Sequence, residues 1–244
     1  VIDPTIIYED GDVLVINKPA GVSVHKDGMR EEETIADWFV RKYPEAGGVG
    51  EPLTLTNGTV VDRPGIVHRL DKETSGVMVL AKNQRAYEFL KKQFQERETA
   101  KIYRTFVWGE MKNDSGTINL PIGRSQSDFR RRSAERGAKE PLRDAETHYE
   151  VLLRGGGFSE VRVKPKTGRM HQIRVHMKAL QHPLVGDMLY APRREYALGF
   201  ERLALHAESL TITLPSGTKH TFEAPLPSDI EEAGRTLRQF AETA

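Results

Sequence analysis

His68-Arg69-Leu70-Asp71-Lys72-Glu73-Thr74-Ser75-Gly76-Val77-Met78-Val79-Leu80-Ala81 changes character at its midpoint. Gly76 to Ala81 is a continuous apolar run, the pattern of a strand buried on both faces. The residues before it are polar, with Asp71 flanked in sequence by the cations Arg69 and Lys72. Thr74-Ser75-Gly76 permits a tight turn between the two halves. A carboxylate just ahead of a buried strand is held rigidly, and nearby positive charge keeps it ionised, as a nucleophile or anionic stabiliser requires. The same pattern also reads as a surface loop with a local ion pair.

Outward from this run, β-rich segments dominate. Ile6-Ile7-Tyr8 and Val13-Leu14-Val15-Ile16 flank Asp10-Gly11, a strong hairpin signal. Thr34 to Tyr43 predicts a helix with Ile35, Trp38 and Phe39 on one face, and a Gly- and Pro-punctuated loop follows from Pro44 to Gly65. Asn83 is the expected N-cap of a helix to about Arg97, with Ala86, Phe89, Leu90 and Phe94 as its buried stripe. Lys101 to Trp108, Val151 to Leu153, Phe158 to Val163, Leu203 to Leu214 and Lys219 to Phe222 read as strands. Ser228 caps a terminal helix. Strands outnumber helices and are mostly hairpin-connected, so the expected class is α+β with a largely antiparallel sheet.

With 244 residues, 38% hydrophobic and 29% charged, the chain has the balance of a soluble globular protein able to bury a sizeable core. It contains no cysteine, which excludes disulfides, thiolate catalysis and cysteine-ligated metal. No apolar run approaches a membrane span and the N-terminus has no signal-peptide pattern, so a cytoplasmic location is expected; the chain is also expected to be a monomer. Net charge is +1 but unevenly spread. Residues 124–143 carry seven bases (Arg124, Arg130, Arg131, Arg132, Arg136, Lys139, Arg143) against three acids (Asp128, Glu135, Glu140). That basic loop is a phosphate-binding footprint or a solvated charged surface.

Two further stretches carry chemistry. In Lys101-Ile102-Tyr103-Arg104-Thr105-Phe106-Val107-Trp108, alternation puts Lys101, Tyr103, Thr105 and Val107 on one face, so Tyr103 is a stacking platform or core filler. In Thr167-Gly168-Arg169-Met170-His171-Gln172-Ile173-Arg174-Val175-His176-Met177-Lys178, Met170, Ile173, Met177 and Leu180 recur at helical spacing and are expected in the core. His171, Arg174 and Lys178 form one polar stripe. Thr167 is expected to cap this helix, leaving free backbone N–H groups beside Arg169 for a phosphate. His171 and His176 lie five apart with no carboxylate to complete a metal set, and neither a dinucleotide fingerprint nor a P-loop is present. No metal and no nucleotide cofactor is expected.

Together these stretches resemble the RluA-type pseudouridine synthases, over about Ile6 to Leu237. The likeness also includes Asn17-Lys18-Pro19-Ala20-Gly21, Pro121-Ile122-Gly123-Arg124, His182-Pro183-Leu184-Val185-Gly186-Asp187, Leu205-His206-Ala207 and Phe222-Glu223-Ala224-Pro225-Leu226-Pro227, all in family order. The resemblance implies a pseudouridine synthase fold, a mixed, mostly antiparallel sheet in two joined halves with a central catalytic cleft. It implies isomerisation of uridine in ribosomal or transfer RNA, without metal or cofactor. The family's nucleophilic aspartate falls on Asp71, its base-stacking tyrosine on Tyr103, its basic partner for the aspartate on Arg174, and the aliphatic that touches the base on Ile173. Arg69 matches the arginine that fills the space left by the flipped nucleotide. Arg169, His171, Arg124, Arg130, Arg131 and Arg132 are the remaining expected RNA contacts.

Many relatives carry a small RNA-binding domain ahead of the catalytic one. Here the hairpin begins almost at residue 1, so residues 1–244 are expected to form a single catalytic domain. The loop from Glu45 to Asp62 is longer than the family minimum. Two other readings compete. A catalytically dead RNA-binding relative should have lost Asp71, Tyr103 or Arg174, and all three are present. A nucleosidase using Asp71 with Glu73 as acid would release free uracil.

Overall fold

The run after Asp71 forms the buried strand expected of it. The structure is a computed structural model that describes residues 2–26, 32–54, 58–128, 130–135 and 138–243. Along the chain the strands are β1 (Thr5–Glu9), β2 (Val13–Lys18), β3 (Leu53–Thr54), β4 (Val60–Val61), β5 (Ser75–Ala81), β6 (Ala100–Trp108), β7 (Ser115–Asn119), β8 (Ile122–Arg124), β9 (Arg132–Ser133), β10 (Lys139–Arg143), β11 (Glu146–Gly155), β12 (Phe158–Pro165), β13 (Leu205–Thr213) and β14 (Lys219–Glu223). The helices are α1 (Ile35–Lys42), α2 (Gln84–Glu96), α3 (Gln172–Ala179) and α4 (Ser228–Thr243). They condense into two compact units, each built from two separate stretches: residues up to 100 with 207–225, and residues 101–206 with those from 226 onward.

In the first unit β1, β2, β5 and β13 are successive neighbours and β14 pairs with β13. The pairs β1–β2, β2–β5 and β13–β14 are antiparallel. Every residue of β5 is buried, because one face packs with Val13, Val15, Leu210 and Ile212 and Gly76 lies flat on its neighbour. Gly76 has φ +116°, and a Cβ there would stand 2.2 Å from the Ala207 carbonyl oxygen. A side chain is excluded on both counts.

Capping residues set both helices of this unit, at Asn83 as read. Thr34 closes a reciprocal capping box with Asp37, and Asn83 Oδ1 accepts from Ala86 N–H at 3.0 Å. The buried stripe of α2 departs from expectation. Phe89 is exposed and Gln93 is buried. The Gln93 amide exchanges two hydrogen bonds with the main chain of Thr213, at 2.8 and 2.9 Å, and so satisfies its polar atoms in the core. In the 45–62 segment β3 and β4 pair, while residues 55–57 lie outside those described.

In the second unit the order is β6-β12-β11-β7, all antiparallel. Both faces of β6 are covered. Val107 and half-buried Tyr103 join one apolar cluster with Ile173 and Met177 of α3, and Phe106 and Trp108 join another with Ile230, Ala233 and Leu237 of α4. The basic stretch is not an irregular loop: β8, β9 and β10 form a small three-stranded sheet in the order β10-β8-β9. Arg136 lies outside the described residues.

Candidate active site

The turn that presents Asp71 is fixed from several sides. Thr74 N–H donates to the Asp71 carbonyl at 3.1 Å, and Gly21 N–H donates to the Lys72 carbonyl at 2.9 Å. Lys18, fully buried at the end of β2, donates through Nζ to the carbonyls of Pro19 (2.8 Å), Val22 (2.8 Å) and Lys72 (3.1 Å). One ammonium thus ties the turn after β2 to the turn holding Asp71, and its three donors match three acceptors. His68 locks the other end: its Nε2 accepts from Val79 N–H at 3.1 Å and its ring stacks on Phe94 at 4.5 Å. Asp71 itself is half-buried.

The two cations flanking Asp71 in sequence have partners of their own. Lys72 Nζ pairs with Glu32 at 2.5 Å. Arg69 Nη1 meets His25 Nε2 at 3.1 Å, while His25 Nδ1 meets the Lys26 carbonyl at 2.9 Å. A carbonyl only accepts, so Nδ1 carries the proton; Nε2 then holds the lone pair that takes up the arginine N–H.

In the second unit the helix bearing Arg174 begins differently from the expected pattern. The N-cap of α3 is His171, in the left-handed region at φ 58°, with no side-chain cap. Thr167 instead hydrogen-bonds through its hydroxyl to Gln172 Oε1 at 2.6 Å, and that oxygen also accepts from Arg169 N–H at 3.0 Å. The Gln172 amide donates to the Glu146 carbonyl (3.0 Å) and Thr147 Oγ1 (2.9 Å). Buried Gln172 thus consumes the N–H group expected to await a phosphate beside Arg169. The late start also leaves Met170 exposed, while Ile173 and Met177 are buried as expected.

Arg174 is not part of a solvated stripe. It is 9% exposed and grips Asp187 with Nε to Oδ2 at 2.8 Å and Nη2 to Oδ1 at 2.7 Å. Asp187 Oδ1 also accepts from the N–H groups of Leu189 (3.2 Å) and Tyr190 (3.0 Å). The Arg174 guanidinium lies 5.0 Å over the Tyr190 ring. The Tyr190 hydroxyl accepts from Arg132 N–H at 2.8 Å and bonds His171 Nδ1 at 2.8 Å. Tyr103, Ile173, Arg174 and the basic sheet all belong to this unit, and Asp71 and Arg69 to the other.

The bases of the small sheet sort into two groups. Arg130 is bidentate to Asp128 (3.0 and 2.8 Å) and Arg131 lies 3.4 Å from it; hydrogen bonds from Arg130 hold the Asp128 carboxyl down at about 2. Arg124 of β8 stands directly opposite Lys139 on one side and Arg132 on the other. Like charges facing one another across a ladder are unfavourable alone and suit a polyanion. Sequence reasoning missed Lys18, His25, Asp187 and Tyr190, the residues that hold the expected ones. Lys18 and Asp187 lay within the quoted motifs, but nothing in the pattern gave their partners.

Residues 12–179 match the family model described as RNA pseudouridylate synthase. An RNA pseudouridine synthase of Bacillus subtilis is 40% identical over 238 residues, 97% of this chain and 74% of the relative. Ribosomal large subunit pseudouridine synthase D of Pseudomonas aeruginosa is 37% identical over 253 residues, 99% of this chain and 74% of the relative. Among solved structures, human RNA pseudouridylate synthase domain containing 1 superposes with a TM-score of 0.72 at 29% identity, covering 92% of this chain and 84% of that one.

Proposed function

This chain belongs to the RNA pseudouridylate synthase family, and we propose that it modifies large-subunit ribosomal RNA with Asp71 as its nucleophile. It is an isomerase that converts uridine in RNA to pseudouridine. The reaction breaks the bond from C1′ to N1, turns the uracil and joins C5 to C1′, while the C5 proton is released and N1 takes one up.

The role of Asp71 rests above all on its mounting. A half-buried carboxylate stands on a turn pinned by Lys18, His68 and the Thr74 N–H, immediately before a buried strand. A carboxylate so fixed suits attack on the reacting nucleotide, as a retaining glycosidase nucleophile does. Arg174, held by Asp187, is the proposed basic residue of the reaction. Tyr103 gives the stacking face for a flipped base, Ile173 the aliphatic contact beside it, and Arg69 the plug for the vacated stack. Arg124, Arg132 and Lys139 contact phosphates; Arg130 and Arg131 do so only by giving up Asp128. Arg169 and His171 flank this surface.

Ribosomal RNA is preferred over transfer RNA because the relatives in Pseudomonas aeruginosa and Borreliella burgdorferi carry the ribosomal large subunit in their names, and the cytoplasm is the proposed compartment for that work. Carbodiimide mapping of pseudouridine in cells with and without the gene tests it. Loss of one or more large-subunit positions is expected. Loss confined to transfer RNA contradicts the ribosomal assignment.

A further inference from the structure

Lys101 opens the face of β6 that carries Tyr103, two residues away in the alternation. Its side chain is half-buried, and among the described residues it has no hydrogen-bond or ion-pair partner. The strand enters a well-covered core from Tyr103 onward, so the Lys101 stem is sheathed and its ammonium ends at the rim. There it meets Gly168. A Cβ built on that glycine would stand 3.6 Å from Lys101 Nζ, ordinary contact distance, so the absence of a side chain at exposed Gly168 leaves the ammonium uncovered on that side.

A lysine held this way costs the free protein stability. Desolvation pushes its pKa down, the sign that surrounding atoms disfavour the charge and nothing nearby compensates. Buried charge is tolerated when paired. Contrast the other sheathed cations of the chain: Lys18 has three carbonyls, Arg104 has Glu160 at 2.6 Å, and Arg174 has Asp187. Lys101 differs from these three in that the described residues supply its ammonium with neither an acceptor nor a counter-charge.

We propose that Lys101 is a substrate-binding residue whose partner is a phosphate oxygen of the RNA, beside the nucleotide that stacks on Tyr103. An anion arriving over Gly168 meets an ammonium already stripped of part of its water. The pair then forms in a poorly solvated setting, where it is stronger than at the open surface. The free protein is destabilised so that the complex is strengthened. This inference rests on the reading that the Tyr103 face receives RNA.

Lys101→Met keeps the stem and removes the charge, and Lys101→Arg keeps a cation. The dissociation constant for an unmodified large-subunit ribosomal RNA transcript is measured across a salt series for both variants and wild type, with melting temperatures of the free proteins alongside. For Lys101→Met, affinity is expected to fall roughly ten- to hundredfold, and the slope of log affinity against log salt to shrink by about 0.7 to 0.9. Its melting temperature is expected to stay level or rise, since an uncompensated buried charge has gone. Lys101→Arg should restore the slope. Unchanged affinity and slope overturn the proposal, as does a fall in melting temperature by many degrees, which marks a structural lysine. Weaker binding with an unchanged slope also overturns it, because the contact would then be to an uncharged group. Wild-type release of tritium from uridine labelled at C5 is recorded in parallel. Its absence counts against the isomerase reading, whereas normal release with no change in Lys101→Met counts against Lys101 alone.

Discussion

Asp187→Ala separates what holds Arg174 from what Arg174 does. The Asp187 side chain is 0% exposed and that of Arg174 10%, so the pair is screened little by solvent. Alanine removes two charge-assisted hydrogen bonds, of 2.8 and 2.7 Å, and the acceptor of the Leu189 and Tyr190 N–H groups. Removing one partner of such a pair leaves a buried charge uncompensated and costs about 3–5 kcal/mol. At about 2–4 °C per kcal/mol for chains of this size, melting should drop by roughly 6–20 °C. The double variant Arg174→Met with Asp187→Leu replaces both charges by apolar groups and should recover most of that loss. It should nevertheless form no pseudouridine, since the guanidinium is gone. Thermal unfolding followed by circular dichroism gives the first quantity, and tritium release from C5-labelled RNA the second. If Asp187→Ala melts within about 2 °C of wild type, less than ~1 kcal/mol, the pair is not the anchor described here. If the double variant remains active, Arg174 has no part in the chemistry.

Three other outcomes are expected. Tyr103→Phe retains the stacking face, worth about 1–3 kcal/mol per base, and should remain substantially active, whereas Tyr103→Ala should fail; equal, wild-type activity in both removes Tyr103 from the site. Arg124→Ala with Lys139→Ala should lower the salt slope of RNA binding by about 1.4 to 1.8, while Asp128→Asn should raise affinity by releasing Arg130 and Arg131; an unchanged slope in the first makes the row on the small sheet an ordinary charged surface. His176 is fully buried and neutral, donating from Nε2 to the Leu120 carbonyl at 2.9 Å and accepting at Nδ1 from Thr147 at 2.8 Å, and burial pushes its pKa down. The unfolded chain therefore takes up this proton first. Stability present above about pH 6.5 should decline as pH falls below it, and a His176→Gln variant that shows the same decline removes His176 as its cause.

Legibility followed the range of the interaction. The β1–β2 hairpin, β5 and the cap at Asn83 depend on neighbours within a few residues, and all stand as read. Phe89 and Gln93 exchanged places because Gln93 answers to Thr213, 120 residues away, and periodicity carries no such information. The start of α3 was misplaced for the same reason. Thr167 looked like a cap, but Gln172 reaches across to Glu146 and Thr147 and resets the helix entry. At the candidate site, it was the resemblance to the pseudouridine synthases that marked Asp71, Tyr103 and Arg174. What holds them was hidden: the Lys18 ammonium, the His25 lone pair and the Asp187 carboxylate each act across a gap in sequence. Charge counting located the basic stretch, yet only strand register shows Arg124, Arg132 and Lys139 in one row while Asp128 neutralises their neighbours.

The central claim is that a fixed carboxylate at Asp71 carries the isomerisation, and Asp71→Asn tests it with the least disturbance. Asparagine preserves size and most hydrogen bonding, and removes the charge and nucleophilicity. Tritium release from ribosomal RNA carrying uridine labelled at C5 should be undetectable in Asp71→Asn, with RNA affinity within a few fold of wild type. Sustained release by Asp71→Asn at a rate comparable to wild type would contradict the account.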